Sequence, residues 1–180
     1  HSTDPGSMAD FRQAAWPTTY DLYEAYVDDD CYRWSIEAGS SPGYCMLSNV
    51  SLPFVTTPVF VVQSQTDSVV LTGHDNWPQD YGDNPLPQRF MKEWHANMTV
   101  ALDPLLNEAV PTTRFGQYRY GVFAAACYTH TGFSSKAPLI DGVNYHQGFS
   151  AWYYQGRNGA SPADFKLSDD CGEMCNPTCP

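Results

Sequence analysis

Two residues of this chain stand where an open α/β sheet places its working groups. Asp67 follows the apolar, β-branched run Thr57 to Gln63 by a short polar turn, Ser64-Gln65-Thr66. His130 follows the run Val122 to Ala126 through Cys127-Tyr128-Thr129. In such sheets the reactive side chains sit just past the C-terminal ends of strands, where a crevice faces solvent. An acid followed in the chain by a histidine suits hydrolysis through a serine: the carboxylate holds the imidazole tautomer, and the imidazole takes the hydroxyl proton. Each residue also has a plain structural reading, the Asp as the cap of the next turn and the His as a hydrogen-bonded scaffold residue. His74 lies in a Gly-Asp-Asn turn, His95 on the polar face of a helix and His146 near an aromatic helix; with His1, these read as bystanders.

A nucleophile is harder to place. Gly39-Ser40-Ser41-Pro42-Gly43 fits G-x-S-x-G and precedes Asp67 and His130 in the right order. That motif works as a sharp turn from a buried strand into a helix, whose N-terminus helps to bind the oxyanion. Trp34 to Ala38 is no apolar strand, and Pro42-Gly43 does not lead a helix, so Ser41 reads as an ordinary loop serine. The Gly-Phe-Ser runs at 132 and 148 do not match the motif.

The elements that must position Asp67 and His130 follow from periodicity. Thr57 to Gln63 has the pattern of a strand buried on both faces of a parallel sheet, and Tyr120 to Ala126 reads as a second buried strand. Between them, Asp75 to Pro87 is a loop rich in Asn, Asp, Gly and Pro, followed by helical spacing over Gln88 to Leu106 through Phe90, Trp94, Met98 and Leu102. Helical spacing also predicts Tyr20 to Val27 and Gln147 to Tyr154. Asp28-Asp29-Asp30 reads as a solvated turn that ends the first of these; it lacks the alternating ligands and central glycine of a calcium loop. Strands alternating with helices give an α/β fold holding only the later strands of a mostly parallel sheet, with helices on both faces.

The 180 residues include six cysteines, at 31, 45, 127, 171, 175 and 179. An even count with three crowded near the end reads as a disulfide framework, with Ser161 to Pro180 as a stapled tail. A structural zinc would want a fourth ligand and commonly a CxxC pair, so Cys171, Cys175 and Cys179 do not make a metal site. Six cysteines allow fifteen connectivities; Cys31 to Cys45 spans a loop short enough to close on itself, and Cys127 is expected to join one tail cysteine. Asn49-Val50-Ser51 and Asn97-Met98-Thr99 are glycosylation sequons, and Pro177 blocks Asn176-Pro177-Thr178. Cysteines and sequons together favour a secreted protein. No basic n-region with an apolar h-region precedes them, so a secretory chain opening at His1 is expected to be processed or trimmed, and residues 1–19 form an N-terminal segment whose first eight residues could be tag-derived.

Nine Lys and Arg against twenty Asp and Glu give a net charge of −11, which disfavours nucleic acid as a partner. No apolar run reaches the length of a membrane span, and the pattern calls for no cofactor or metal.

Several segments together resemble one family, the pectin acetylesterases and related Notum carboxylesterases of the α/β-hydrolase fold. The tail Cys171 with Cys175-Asn176-Pro177-Thr178-Cys179-Pro180 is similar to the family's C-terminal signature, a highly specific motif. Thr57 to Gln63 followed by Asp67 resembles the strand leading to the family's catalytic Asp; Gly121-Val122-Phe123 with Ala126 to His130 resembles the segment bearing its catalytic His. Cys31, Cys45 and Trp152-Tyr153-Tyr154 also fit. The resemblance covers 20–180 and implies that this stretch is the C-terminal half of the domain, with Asp67 and His130 catalytic. It also implies that the family's serine, in a Gly-x-Ser-Ala-Gly-Gly elbow, lies in an N-terminal half, carried on another part of the precursor or on a separate chain. Thr131 stands where plant members have a cysteine, and Ser68-Val69 where they have Ser-Trp. Two readings follow: a secreted carboxylic-ester hydrolase acting on an acylated glycan or other ester, or a silent relative serving as a structural or binding component of an extracellular assembly.

Overall fold

In the computed structural model, residues 11–80, 82–108, 118–155 and 159–180 are described. They fall into two compact units on either side of the Thr57/Pro58 junction. The expectations for His1 and the first eight residues lie outside the described residues.

The first unit is helical. α1 (Phe11–Tyr23) accommodates Pro17 and gives way to Glu24, whose φ of 47° turns the chain out of the helix. The expected helix from Tyr20 to Val27 therefore stops four residues early. Asp28 does not end a helix but begins one: its carboxylate accepts from the backbone N–H groups of Asp30 (2.9 Å) and Cys31 (3.0 Å) and caps α2 (Asp29–Glu37). Asp29 and Asp30 in the first turn complement the positive end of the helix dipole. The acidic triplet is thus a start signal. The Cys31–Cys45 disulfide (Cα separation 6.0 Å) ties α2 to a 3₁₀ turn, Pro42–Met46, and α3 (Ser48–Ser51) follows. Val27, Cys31 and Cys45 form the core of this unit, with Tyr20, Met46, Val50 and Phe54 packed around them.

The second unit holds a parallel sheet of three strands in the order β1 (Val59–Thr66), β2 (Tyr120–Tyr128), β3 (Lys166–Ser168). β1 and β2 run in register from Val59 opposite Tyr120 to Ser64 opposite Ala125, after which the register shifts and Thr66 faces Tyr128. β2 is buried throughout its central seven residues. β1 is not buried on both faces: Val62 is 36% exposed, and full burial begins only at Ser64. Among the described residues β1 has a strand neighbour, β2, on one side only.

α4 (Pro85–Leu106) crosses from β1 to β2. Asn84 caps it through the N–H of Leu86, and Pro85 and Pro87 fit its first turn, where a missing N–H costs nothing. That start lies three residues ahead of the sequence reading. α5 (Tyr145–Tyr153) is closed by a capping box between Asn144 and Gln147. It packs on the sheet face that carries Phe60, Phe123 and Leu167: a Cβ on Gly148 would lie 3.2 Å from Leu167, and one on Gly121 would collide with Phe60 and lie 2.8 Å from Trp152. At the opposite end of the strands from Asp67, the Glu108 carboxylate accepts from the N–H groups of Arg119 (3.1 Å) and Tyr120 (3.2 Å) and pairs with Lys166 at 3.5 Å. Burial pushes the Lys166 ammonium below its ordinary value, and Glu108 opposes that shift.

Candidate active site

The turn expected at Ser64-Gln65-Thr66 is strand, because its polar side chains are consumed by β2 and β3. The hydroxyls of Ser64 and Thr66 both donate to the Cys127 carbonyl, Thr66 at 2.7 Å. The buried Gln65 amide donates to the carbonyls of Ala124 (3.0 Å) and Asp169 (2.8 Å) and to the Ser168 hydroxyl (3.0 Å). Opposite them β2 carries one extra residue between Ala125 and Tyr128. Such a bulge bends a strand end and re-aims the chain that leaves it.

Asp67 is the first residue beyond β1 and is 5% exposed. Its Oδ1 accepts from the backbone N–H groups of Val69 (2.9 Å) and Val70 (3.0 Å), which begin a π-helical turn, Val70–His74. Oδ2 remains for His130, whose Nδ1 lies 2.8 Å away, with side chains 8% and 47% exposed respectively. The capping role and the partnership with histidine, alternatives in the sequence, coexist on the two oxygens of one carboxylate. Two N–H donors and a buried setting fix the carboxylate, and the carboxylate fixes the ring. The imidazole itself is about half exposed.

The loop bearing His130 is held from the tail. Gly132 donates to Thr129 Oγ1 at 3.1 Å, and a Cβ at Gly132 would lie 2.5 Å from that oxygen and 2.7 Å from Pro180. Cys127–Cys179 (Cα separation 5.5 Å) fastens the tail to the end of β2. Asn176, 5% exposed, donates to the Leu139 carbonyl (2.9 Å) and the Asp169 carboxylate (2.8 Å), and Asp169 in turn accepts from Ala126 N–H at 2.8 Å. Thr178 accepts from Leu139 N–H at 2.7 Å. The Asn-Pro-Thr of the tail is therefore a clasp around the end of the histidine strand. Asp169 was not singled out in the sequence; its signal was its place in that cysteine-rich tail.

The remaining sequence candidates lie elsewhere. Ser41 caps the 3₁₀ turn Pro42–Met46 by accepting from Gly43 N–H at 3.2 Å, with no strand before it. His74 closes the π-helical turn, His146 lies against the Tyr145 ring (centroids 4.0 Å apart), and His95 is half-buried on α4 rather than on its polar face. All six cysteines are in disulfides, the third being Cys171–Cys175, so no thiolate is left for zinc. Thr131 is exposed, and Val69, 43% exposed, serves the site through its backbone N–H.

A model of the pectinacetylesterase family matches residues 19–180. The chain belongs to the pectinacetylesterase family. The solved structure of the Wnt deacylase Notum from Drosophila superposes with a TM-score of 0.69 at 20% identity, over 100% of this chain and 45% of that one. This member thus has the fold of that α/β-hydrolase and spans less than half its length. No curated protein sequence matches it. Its three parallel strands, with α4 and α5, are a portion of that fold.

Proposed function

We propose that this chain carries the acid and base of a Ser-His-Asp carboxylic-ester hydrolase, and that its serine and oxyanion hole are supplied by an N-terminal half of the same protein. The observation that carries this reading is the 2.8 Å contact between Asp67 Oδ2 and His130 Nδ1, at the sheet end where hydrolases of this fold act. With Nδ1 engaged, Nε2 takes the proton of the serine hydroxyl as Oγ attacks the ester carbonyl carbon. The tetrahedral intermediate collapses, the imidazolium returns the proton to the departing alcohol, and an acyl-enzyme is left. Water, deprotonated by the same imidazole, releases the acid and restores the serine.

The family description names pectin acetyl esters, and the structural neighbour is a Wnt deacylase. The substrate proposed here is an acylated glycan. Three disulfides and the exposed sequon asparagines Asn49 and Asn97 support passage through an oxidising secretory compartment, with N-glycans at those positions.

The test is fluorophosphonate labelling of the native, unreduced protein, followed by reduction and localisation of the adduct by mass spectrometry. An adduct on a serine outside these 180 residues is expected. An adduct on Ser41 overturns the assignment of the nucleophile. No adduct at all overturns the esterase reading in favour of a binding component.

A further inference from the structure

A cavity of about 540 Å³ is lined by Trp77, Gln79, Asp80, Gly82, Gln88 and Tyr128. That volume lies within the roughly 300–1,000 Å³ of small-molecule sites. Its place is set by the elements that deliver the dyad. Tyr128 faces Thr66 across the strands, and Thr66 is the residue before Asp67. Trp77 is tied to the turn that follows Asp67 through its N–H to the Leu71 carbonyl (2.8 Å), and its indole N–H donates to the Pro87 carbonyl at 2.9 Å. The Trp77 and Tyr128 rings stand 5.6 Å apart, and the Gln79 amide reaches the Tyr128 hydroxyl at 3.4 Å. The walls are therefore positioned by the same backbone that positions the dyad.

The chemistry of the lining is selective. Two aromatic rings offer apolar faces, while two amides and a carboxylate offer donors and acceptors at the rim. A sugar ring meets both demands, having C–H faces for the rings and hydroxyls for the polar groups. Among the described residues no Lys or Arg lines the cavity, and Arg89, next in the chain to Gln88, lies 3.6 Å from Glu93. A uronate carboxylate there would meet Asp80 with no cation to offset it, whereas a neutral hydroxyl donates to Asp80. We infer that this cavity is the subsite for a neutral sugar on the alcohol side of an O-acylated glycan, an inference that rests on the esterase reading for its place beside the reaction. It separates this chain from the uronate polymer in the family's name.

Binding of unacetylated oligosaccharides to the intact protein tests the subsite without requiring turnover. A neutral xylo-oligosaccharide and an oligogalacturonide of equal length are titrated by calorimetry against wild type, a Gln79→Ala/Gln88→Ala double variant and Asp80→Lys. All three positions are exposed, so folding is preserved, and thermal melts check it. The expected result is tighter binding of the neutral oligomer by about tenfold or more, loss of about tenfold in the double variant, and a shift of preference toward the galacturonide in Asp80→Lys. Equal or tighter binding of the galacturonide by wild type overturns the inference, as does unchanged binding of the neutral oligomer by the double variant. Failure of the esterase reading shows separately, in the fluorophosphonate experiment, because sugar binding needs no nucleophile.

Discussion

At the scale of the residue, the division of labour within the Asp67 carboxylate makes a sharp prediction. Oδ1 is occupied by the N–H groups of Val69 and Val70, and Oδ2 faces His130 Nδ1. In Asp67→Asn the amide oxygen keeps the two backbone donors, which leaves the amide nitrogen against His130. An N–H pointing at Nδ1 forces the ring proton onto Nε2, and a protonated Nε2 cannot act as base. The substitution is expected to lower kcat by about 10³–10⁴-fold with KM little changed, because tautomer rather than ground-state binding is lost. Stability should move by less than about 1 kcal/mol, since the cap survives. Steady-state kinetics on an aryl acetate, paired with a thermal melt, check both parts. A variant that turns over at the wild-type rate would remove Asp67 from the mechanism. A variant that is inactive because it is unfolded would show instead that the carboxylate is chiefly a structural cap.

At the scale of the element, the strands bearing the dyad were legible in the sequence because they are long, apolar and bounded by polar residues. Their ends were not. Ser64, Gln65 and Thr66 look like a turn by composition, yet they are strand because each side chain bonds to backbone more than fifty positions away, a partnership no local window contains. β3 escaped notice for a related reason: Lys166-Leu167-Ser168 is too short for periodicity, and only β2 makes it a strand. α2 was missed because Asp28 to Asp30 carry a signal that reads equally as a stop or a start until the capped N–H groups are seen. The tail motif was legible as a staple, though what it staples was not. Cys127–Cys179 closes a sequence separation of 52 residues and Cys31–Cys45 one of 14. Chain entropy assigns about 4 kcal/mol to the first and about 3 kcal/mol to the second. Replacing Cys127 and Cys179 by Ala should therefore cost the more stability in denaturant titrations. It should also lower activity at temperatures where the protein remains folded, because Pro180 and Asn176 no longer hold the His130 loop. If only stability falls, the tail supports the fold and not the histidine.

At the scale of the whole molecule, charge and architecture bear on the same question of substrate. A net charge of −11 belongs to the 180 residues that carry the half-exposed His130, and among the described residues no Lys or Arg lines the Asp80 cavity. Such a field lowers the local concentration of an anionic polymer and slows its approach, while a neutral glycan does not feel it. Raising the ionic strength from about 0.02 M to about 0.5 M shortens the Debye length from roughly 20 Å to roughly 4 Å, which removes most of that repulsion. For the intact protein, kcat/KM on an acetylated oligogalacturonide should then rise by roughly threefold or more, while that on an acetylated neutral oligosaccharide should change by less than about twofold. The comparison cancels any general effect of salt on the enzyme, because both substrates meet the same dyad. A fall in the galacturonide rate with salt would mean that cations elsewhere in the protein draw an anionic chain toward His130 and outweigh the field of these 180 residues. The same salt response in both substrates would place the discrimination in the Asp80 cavity alone, and the long-range field would carry no part of it.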